Sequence, residues 1–232
     1  MSQGPTQTDA QKHFEQTTAD TLDTARRQAR DKRHSKGFRT ARENLEDLID
    51  RGSFVEYGQL AVAAQRDRRD PASLRIDTAA DGVITGTATI NSKLCGSSHS
   101  NVALAIYDYS VLAGTQGFFH HKKLDRIFEV AERDRLPFIM YTEGGGGRPG
   151  DTDVKVNIAG LNSTSFSRWA GLTGKVPRIT VNNGYCFAGN AALFGAGDIR
   201  IATKKSSIGM AGPAMIEGGG LGVFHPDEIG PV

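Results

Sequence analysis

Apolar positions recur along this chain in two rhythms, and the rhythms take turns. Over Thr40–Asp50, "TARENLEDLID" places Leu45, Leu48 and Ile49 on one helical face. Thr40 and Glu43 have the spacing of an N-cap and its capping-box partner, so a short helix is predicted. "SFVEYGQLAV" follows as a strand, and the polar stretch 65–80 reads as a loop. "DGVITGTATIN" then alternates with period two. "SKLCGSS" marks a turn, and "NVALAIYDYSVLAG" reads as a strongly apolar strand. From Thr115 to Arg135 the period returns to that of a helix, with Leu124, Ile127, Phe128 and Ala131 as its buried stripe. Pro137 opens the strand "PFIMYT". After it, "NSTSFSRWAGLTGK" is helical or mixed, and "VPRITVNNG" is a strand from Val176. "YCFAGNAALFGAGD" is a loop running into a helix, and "IRIATKKSSIGM" is a strand. Strands alternating with helices predict an α/β fold with parallel strands joined by crossover helices.

The first 35 residues differ from the rest. Thr18–Arg33 has helix-forming composition but sparse apolar positions, which suits a surface helix or a partly disordered arm. Eight lysines and arginines lie between Arg26 and Arg42, with Asp31 the sole acid among them. The favoured reading is a solvated arm rather than a grip on an anion.

Composition narrows the class. The 232 residues are 38% hydrophobic, enough for a real core. No run reaches the roughly 18 apolar residues of a membrane span, and the N-terminus has no signal-peptide core. A cytoplasmic protein is expected. The formal net charge of +2 argues against a nucleic-acid binder. Cys95 and Cys186 lack the spacing of a disulfide framework or a metal site.

Glycine is the outlier, with 28 residues in the chain and its clusters in the second half. "YTEGGGGRPGD" and "NNGYCFAGNAA" each follow an apolar strand. Neither ends in G-K-[ST], and in the first Arg148 sits where G-x-G-x-x-G would need flexibility, so a nucleotide cradle is weakly supported; "GGGLG" near 220 has no strand before it. Side-chain-free turns also suit an oxyanion hole, where backbone N–H groups meet a developing negative oxygen. A purely structural use of the glycines stands beside that reading.

"NNGYCFAGNAALFGAGDIRIA" resembles the signature of the crotonase superfamily. "TARENLEDLIDRGSFVEY", "DGVITGTATINSK", "YDYSVLAGTQGFFHHKKLDRIFEVAERDRLPFI" and "TEGGGGRPGD" together are similar to the carboxyltransferase subunit or domain of biotin-dependent acyl-CoA carboxylases. The likeness covers roughly residues 36–232. It implies a crotonase-like spiral of ββα units, carrying residues 1–35 as an N-terminal helical extension. It further implies carboxyl transfer from carboxybiotin to the α-carbon of an acyl-CoA of the acetyl or propionyl class. Expected partners are a C-terminal carboxyltransferase half, a biotin carboxyl carrier protein, a biotin carboxylase and further copies of the chain. No metal is expected. The chain is expected to end just before the family's N-terminal subdomain is finished. Two alternatives stay open: another crotonase-type acyl-CoA enzyme (hydratase, isomerase or decarboxylase), or a non-catalytic assembly module.

The resemblance also assigns roles. Backbone N–H groups at Gly146, Gly147, Ala188 and Gly189 become the oxyanion candidates. Gly145, Arg148, Cys186, Phe187, Asn190, His120 and Lys123 become substrate-binding candidates. Arg148 has a salt bridge that pins the loop as its equal alternative, and Cys186 reads more readily as a buried filler. His120 and Lys123 match family positions and are expected, with His121 and Lys122, along a CoA channel or subunit contact. Arg39, Arg42, Lys204 and Lys205 are candidates for the CoA phosphates, and Phe166 and Trp169 for the acyl pocket, against packing as the bland reading. Three departures stand out. The family's second-loop glycine pair reads Ala188-Gly189, its following alanine is Asn190, and its first-loop serine and alanine are Gly144 and Gly147. Released biotin takes the α-proton in this scheme, and Ala191 and Ala192 stand where many hydratases place a glutamate.

Overall fold

The structure, a computed structural model, describes residues 8–154 and 163–232. The start of the extension and Asn162, which opens the stretch read as helical or mixed, lie outside the described residues.

One sheet carries the fold. Its strands are β1 (Val55–Tyr57), β2 (Val83–Thr89), β3 (Asn101–Tyr107), β4 (Phe138–Tyr141), β5 (Arg178–Asn182) and β7 (Ile199–Ala202). They lie in the order β1-β2-β3-β4-β5-β7, antiparallel from β1 to β3 and parallel from β3 onward. A second, two-stranded parallel sheet pairs β6 (Tyr185–Phe187) with β8 (Ser207–Gly209). From β5 the chain repeats one plan. A strand enters the large sheet, the next enters the small sheet, and a helix returns: β5, β6 and α8 (Gly189–Gly195), then β7, β8 and α9 (Pro213–Gly218).

The first glycine turn belongs to the same plan. Gly144 bridges Cys186 of β6, and Gly147 bridges Gln116. "EGGGG" thus runs beside β6 after β4, joined to it by an isolated bridge rather than as a further strand of the small sheet. Close packing requires glycine at positions 144 and 146. A Cβ on Gly144 would lie 2.2 Å from the Asn190 amide and from the Gly114 carbonyl. Gly146 has φ +89°, and a Cβ there would lie 2.7 Å from that of Ala188.

β3 is buried on both faces, which is why "NVALAIY" is apolar without alternation. Ala103 and Ala105 face a core built with Leu124, Ile127 and Phe128 of α6 (Phe118–Asp134) and with Trp169 of α7 (Ser165–Gly171). Leu104 and Ile106 face the other way, onto Ala41 and Leu45 of α3 (Ala41–Leu48). The expected α6 stripe is buried throughout, and α3 has its capping box, with Thr40 and Glu43 exchanging bonds of 2.8 and 3.1 Å.

Several expectations are corrected. The 65–80 loop contains α4 (Pro71–Asp77), started by Asp70 accepting from the Ala72 and Ser73 amides and by Pro71 at its first position. "SKLCGSS" holds the single helical turn α5 (Ser92–Cys95). "YCF" is β6 rather than loop. "IRIATKKSSIGM" breaks at Thr203–Ser206 into β7 and β8, which serve different sheets.

The N-terminal region forms α1 (Asp9–Ala19) and α2 (Arg27–Ser35) rather than one helix. Its charge is also not simply solvated. Arg26 is buried and pairs with Asp108 at 2.6 Å, donating also to Ser110. Arg33 is buried and bonds Glu143 bidentately, both contacts at 2.7 Å. The segment is docked by two ion pairs, and the Arg33–Glu143 pair has the planar, two-pronged geometry that guanidinium supplies and ammonium cannot.

Candidate active site

The two glycine turns meet. Gly144 N–H donates to Tyr185 O at 2.7 Å, and Phe187 N–H donates to Gly144 O at 2.8 Å. The Cβ direction of Gly146 points to Ala188, with Gly189 N 3.6 Å from that position. The turns therefore bring their amides to one place, and the hydrogen bonds sort those amides. Gly145 donates to Ala113 O, Gly146 to Asn190 Oδ1, Arg148 to Gln116 O and Ala188 to Gly209 O. Among the described residues, Gly147 and Gly189 have no acceptor within the chain. Gly189 opens α8, where the first N–H groups of a helix are left free and the dipole is positive. Gly147 is the bridge partner of Gln116, but its neighbours 146 and 148 make the bonds of that bridge, so its own N–H takes no part in them. It is exposed, with nothing within 4 Å of its Cβ direction, whereas a Cβ on Gly189 would meet Gln116 Oε1 at 2.6 Å and Phe166 at 3.1 Å.

The second turn is strained. Ala188 adopts φ 53°, ψ −120°, a conformation that favours glycine. This is where the family pattern has a glycine.

The side chains are placed as follows. Arg148 is internal: it pairs with Asp81, lies 3.5 Å from Asp151, and donates to Thr115 O and Oγ1. Asp81 accepts from the His120 amide and Asp151 from the Phe118 amide, so Arg148 joins two carboxylates that cap α6. Of its two readings, the pinned loop matches this geometry. His120 is fully buried, with Nδ1 3.0 Å from Asp81 O. Lys123 is buried and donates to Ala80 O and Val83 O, bracing a turn in which Ala80 and Asp81 have positive φ. These two side chains lie inside the chain rather than along a surface channel. Both fall on the inner face of α6, and buried neighbours supply their partners.

Cys186 is buried beside the Thr142 hydroxyl, and burial pushes its thiol up to about 12, so it stays protonated. Phe187 is buried, stacked on Tyr185 and packed under Gly212. Asn190 is buried between the turns. Trp169 is core, while Phe166 is exposed beside Gly189. Arg42 is bound bidentately to Glu56, Arg39 pairs with Asp47, and Lys205 holds Gly37 O; Lys204 is exposed. Sequence reasoning missed Gln116 and Arg33, which hold the first turn through Gly146 O and Glu143. A lone glutamine has no sequence signal for such a role.

Burial brings the Lys123 ammonium down to about 7. Between pH 7 and 9 the unfolded chain keeps this proton and the folded chain has lost it. Stability therefore gains up to about 1.4 kcal/mol per pH unit from this group as pH rises. Urea unfolding at pH 7, 8 and 9 should show that gain in the wild type and its absence in Lys123→Met. Parallel pH dependences would rule it out.

Repeated strand-strand-helix units with two converging glycine turns define a crotonase-type α/β fold. The chain belongs to the carboxyl transferase domain family, whose sequence model matches residues 32–221. It is 28% identical over 188 residues to the propionyl-CoA carboxylase beta chain of Saccharopolyspora erythraea, covering 80% of this chain and 32% of that protein. It is 30% identical over 203 residues to the methylmalonyl-CoA carboxyltransferase 12S subunit of Propionibacterium freudenreichii subsp. shermanii, covering 86% and 36%. A single-chain, multi-domain long-chain acyl-CoA carboxylase of known structure superposes with TM-score 0.91 at 52% identity, over 98% of this chain and 22% of that one. The transcarboxylase 12S structure with methylmalonyl-CoA and methylmalonic acid bound gives TM-score 0.77 at 26% identity, over 98% and 42%. The chain spans about a third of the length of these curated relatives.

Proposed function

We propose that this chain is the acyl-CoA side of a biotin-dependent carboxyltransferase, which moves a carboxyl group onto the α-carbon of an acyl-CoA. Carboxybiotin, carried by a partner, supplies the carboxyl group. The observation that carries the reading is the pair of amides, Gly147 and Gly189, that have no acceptor among the described residues and lie where the two turns meet. Removing the α-proton of a thioester places negative charge on its oxygen. Amides already fixed in position stabilise that charge without reorganising, and one such donor contributes roughly 3–4 kcal/mol. The nearby side chains are otherwise engaged. Glu143 is bound by Arg33, Cys186 is a protonated thiol, and Ala191 and Ala192 fill the first turn of α8. The chain's own contribution is thus orientation and charge stabilisation.

The proposal extends to the expected partners, a second carboxyltransferase half, a biotin carrier, a biotin carboxylase and further copies of the chain, and the multi-domain organisation of one relative and the hexamer assembly of another support it. The 52% identity to a long-chain carboxylase, against 28% and 30% to the propionyl- and methylmalonyl-CoA enzymes, favours a long acyl chain over the acetyl or propionyl class expected from the sequence.

Gly147→Ala tests the reading. Its φ is not positive and its Cβ direction is empty, so the thermal midpoint should hold or rise slightly. A methyl group there intrudes on the substrate space, and carboxylation of acyl-CoA by the full-length protein should fall at least about tenfold. Unchanged turnover would remove Gly147 from the site.

A further inference from the structure

We propose that Asn190 is a positioning residue that clamps the two glycine turns together and so decides which amides are left for the substrate oxygen. Asn190 stands on the first turn of α8 and is fully buried. Its Oδ1 accepts from Gly146 N–H at 3.0 Å, and its Nδ2 donates to Thr142 O at 3.1 Å. Both partners belong to the segment running from β4 into the first glycine turn. One carboxamide thus ties the start of the second turn's helix to two points of the first.

A second observation is independent of those bonds. The Nδ2 atom lies 2.2 Å from where a Cβ on Gly144 would sit. The side chain occupies the space that residue 144 leaves empty, and Gly144 must be glycine for it to enter. An amide bonded to Asn190 cannot also receive a substrate oxygen. By engaging Gly146, Asn190 leaves Gly147 and Gly189 as the free pair, and it holds their separation through a planar group with little freedom of its own.

This inference rests on the function proposed above. The closing experiment therefore has one readout that does not need activity. In the full-length protein, the Gly146 amide should exchange slowly in the wild type and about 100-fold faster in Asn190→Ala, which removes both bonds. Asn190→Asp keeps an acceptor for Gly146 and should protect that amide better than alanine does. The kcat for acyl-CoA carboxylation should follow the same order, falling about tenfold or more in Asn190→Ala, while KM for the acyl-CoA stays within about threefold. That split separates a misplaced amide from a weakened binding site. Gly146 exchange that does not respond to Asn190→Ala overturns the clamp. Faster exchange with unchanged kcat overturns its positioning role and leaves the proposed function intact. No acyl-CoA turnover by the wild type with its biotin partner overturns the proposed function, while the exchange result still judges the clamp.

Discussion

Arg148→Met is expected to destabilise the fold by about 3–5 kcal/mol, with a fall in thermal midpoint of roughly 10 °C. The size follows from what remains behind. Asp81 is fully buried, and burial pushes its carboxyl up while the Arg148 guanidinium draws it back. Without that guanidinium the carboxylate must either stay charged in an apolar place or take up a proton, and both are unfavourable. The loss spreads, because Asp81 and Asp151 cap the start of α6 and Arg148 joins them. Arg148 also holds the exit of the first glycine turn through Thr115. Arg148→Lys should recover only part of the stability, since a single ammonium cannot serve Asp81 and both Thr115 oxygens in the fork geometry. Scanning calorimetry of the three proteins decides the matter. A midpoint within about 2 °C of wild type for the methionine variant would mean that the pair contributes little.

Gly189→Ala is expected to lower kcat for acyl-CoA carboxylation about 10²–10³-fold, the usual consequence of losing one oxyanion donor. The added methyl would lie 2.6 Å from Gln116 Oε1 and 3.1 Å from Phe166. Gln116 is itself buried and held, its Nε2 donating to the Tyr107 hydroxyl at 3.1 Å and its backbone bonding Gly146 and Arg148. The collision is relieved by moving the Gly189 amide or Gln116, and either shift displaces a donor from its place. Acyl-CoA affinity, measured by calorimetric titration, should change far less than kcat, because CoA contacts remote from the thioester are untouched. Equal losses in affinity and turnover would instead mark Gly189 as part of the binding surface alone. A full-strength kcat would exclude its amide from the reaction.

Different parts of this architecture were open to sequence reading for different reasons. The α6 stripe was legible because a 17-residue helix repeats its period several times. β6 was not, since three residues carry no period. α4 was missed although Asp70-Pro71 is a start signal, because Leu74 is its one buried residue and no apolar stripe supports the helix. The arginines of the N-terminal arm read as solvated charge, since nothing nearby in sequence neutralises them. Their partners Asp108 and Glu143 are 82 and 110 residues away.

The sequence by itself determined the class. Alternating periods, the ordered family motifs and two glycine-rich segments after apolar strands were enough for an α/β carboxyltransferase domain with amide-lined turns. What it left open was which amides face outward. Gly146, Gly147, Ala188 and Gly189 are equivalent in a string of letters. Only the tertiary structure separates them, because a hydrogen bond already made inside the fold withdraws a donor, and those bonds come from Asn190 for Gly146 and from Gly209 for Ala188, which reach the amides by folding.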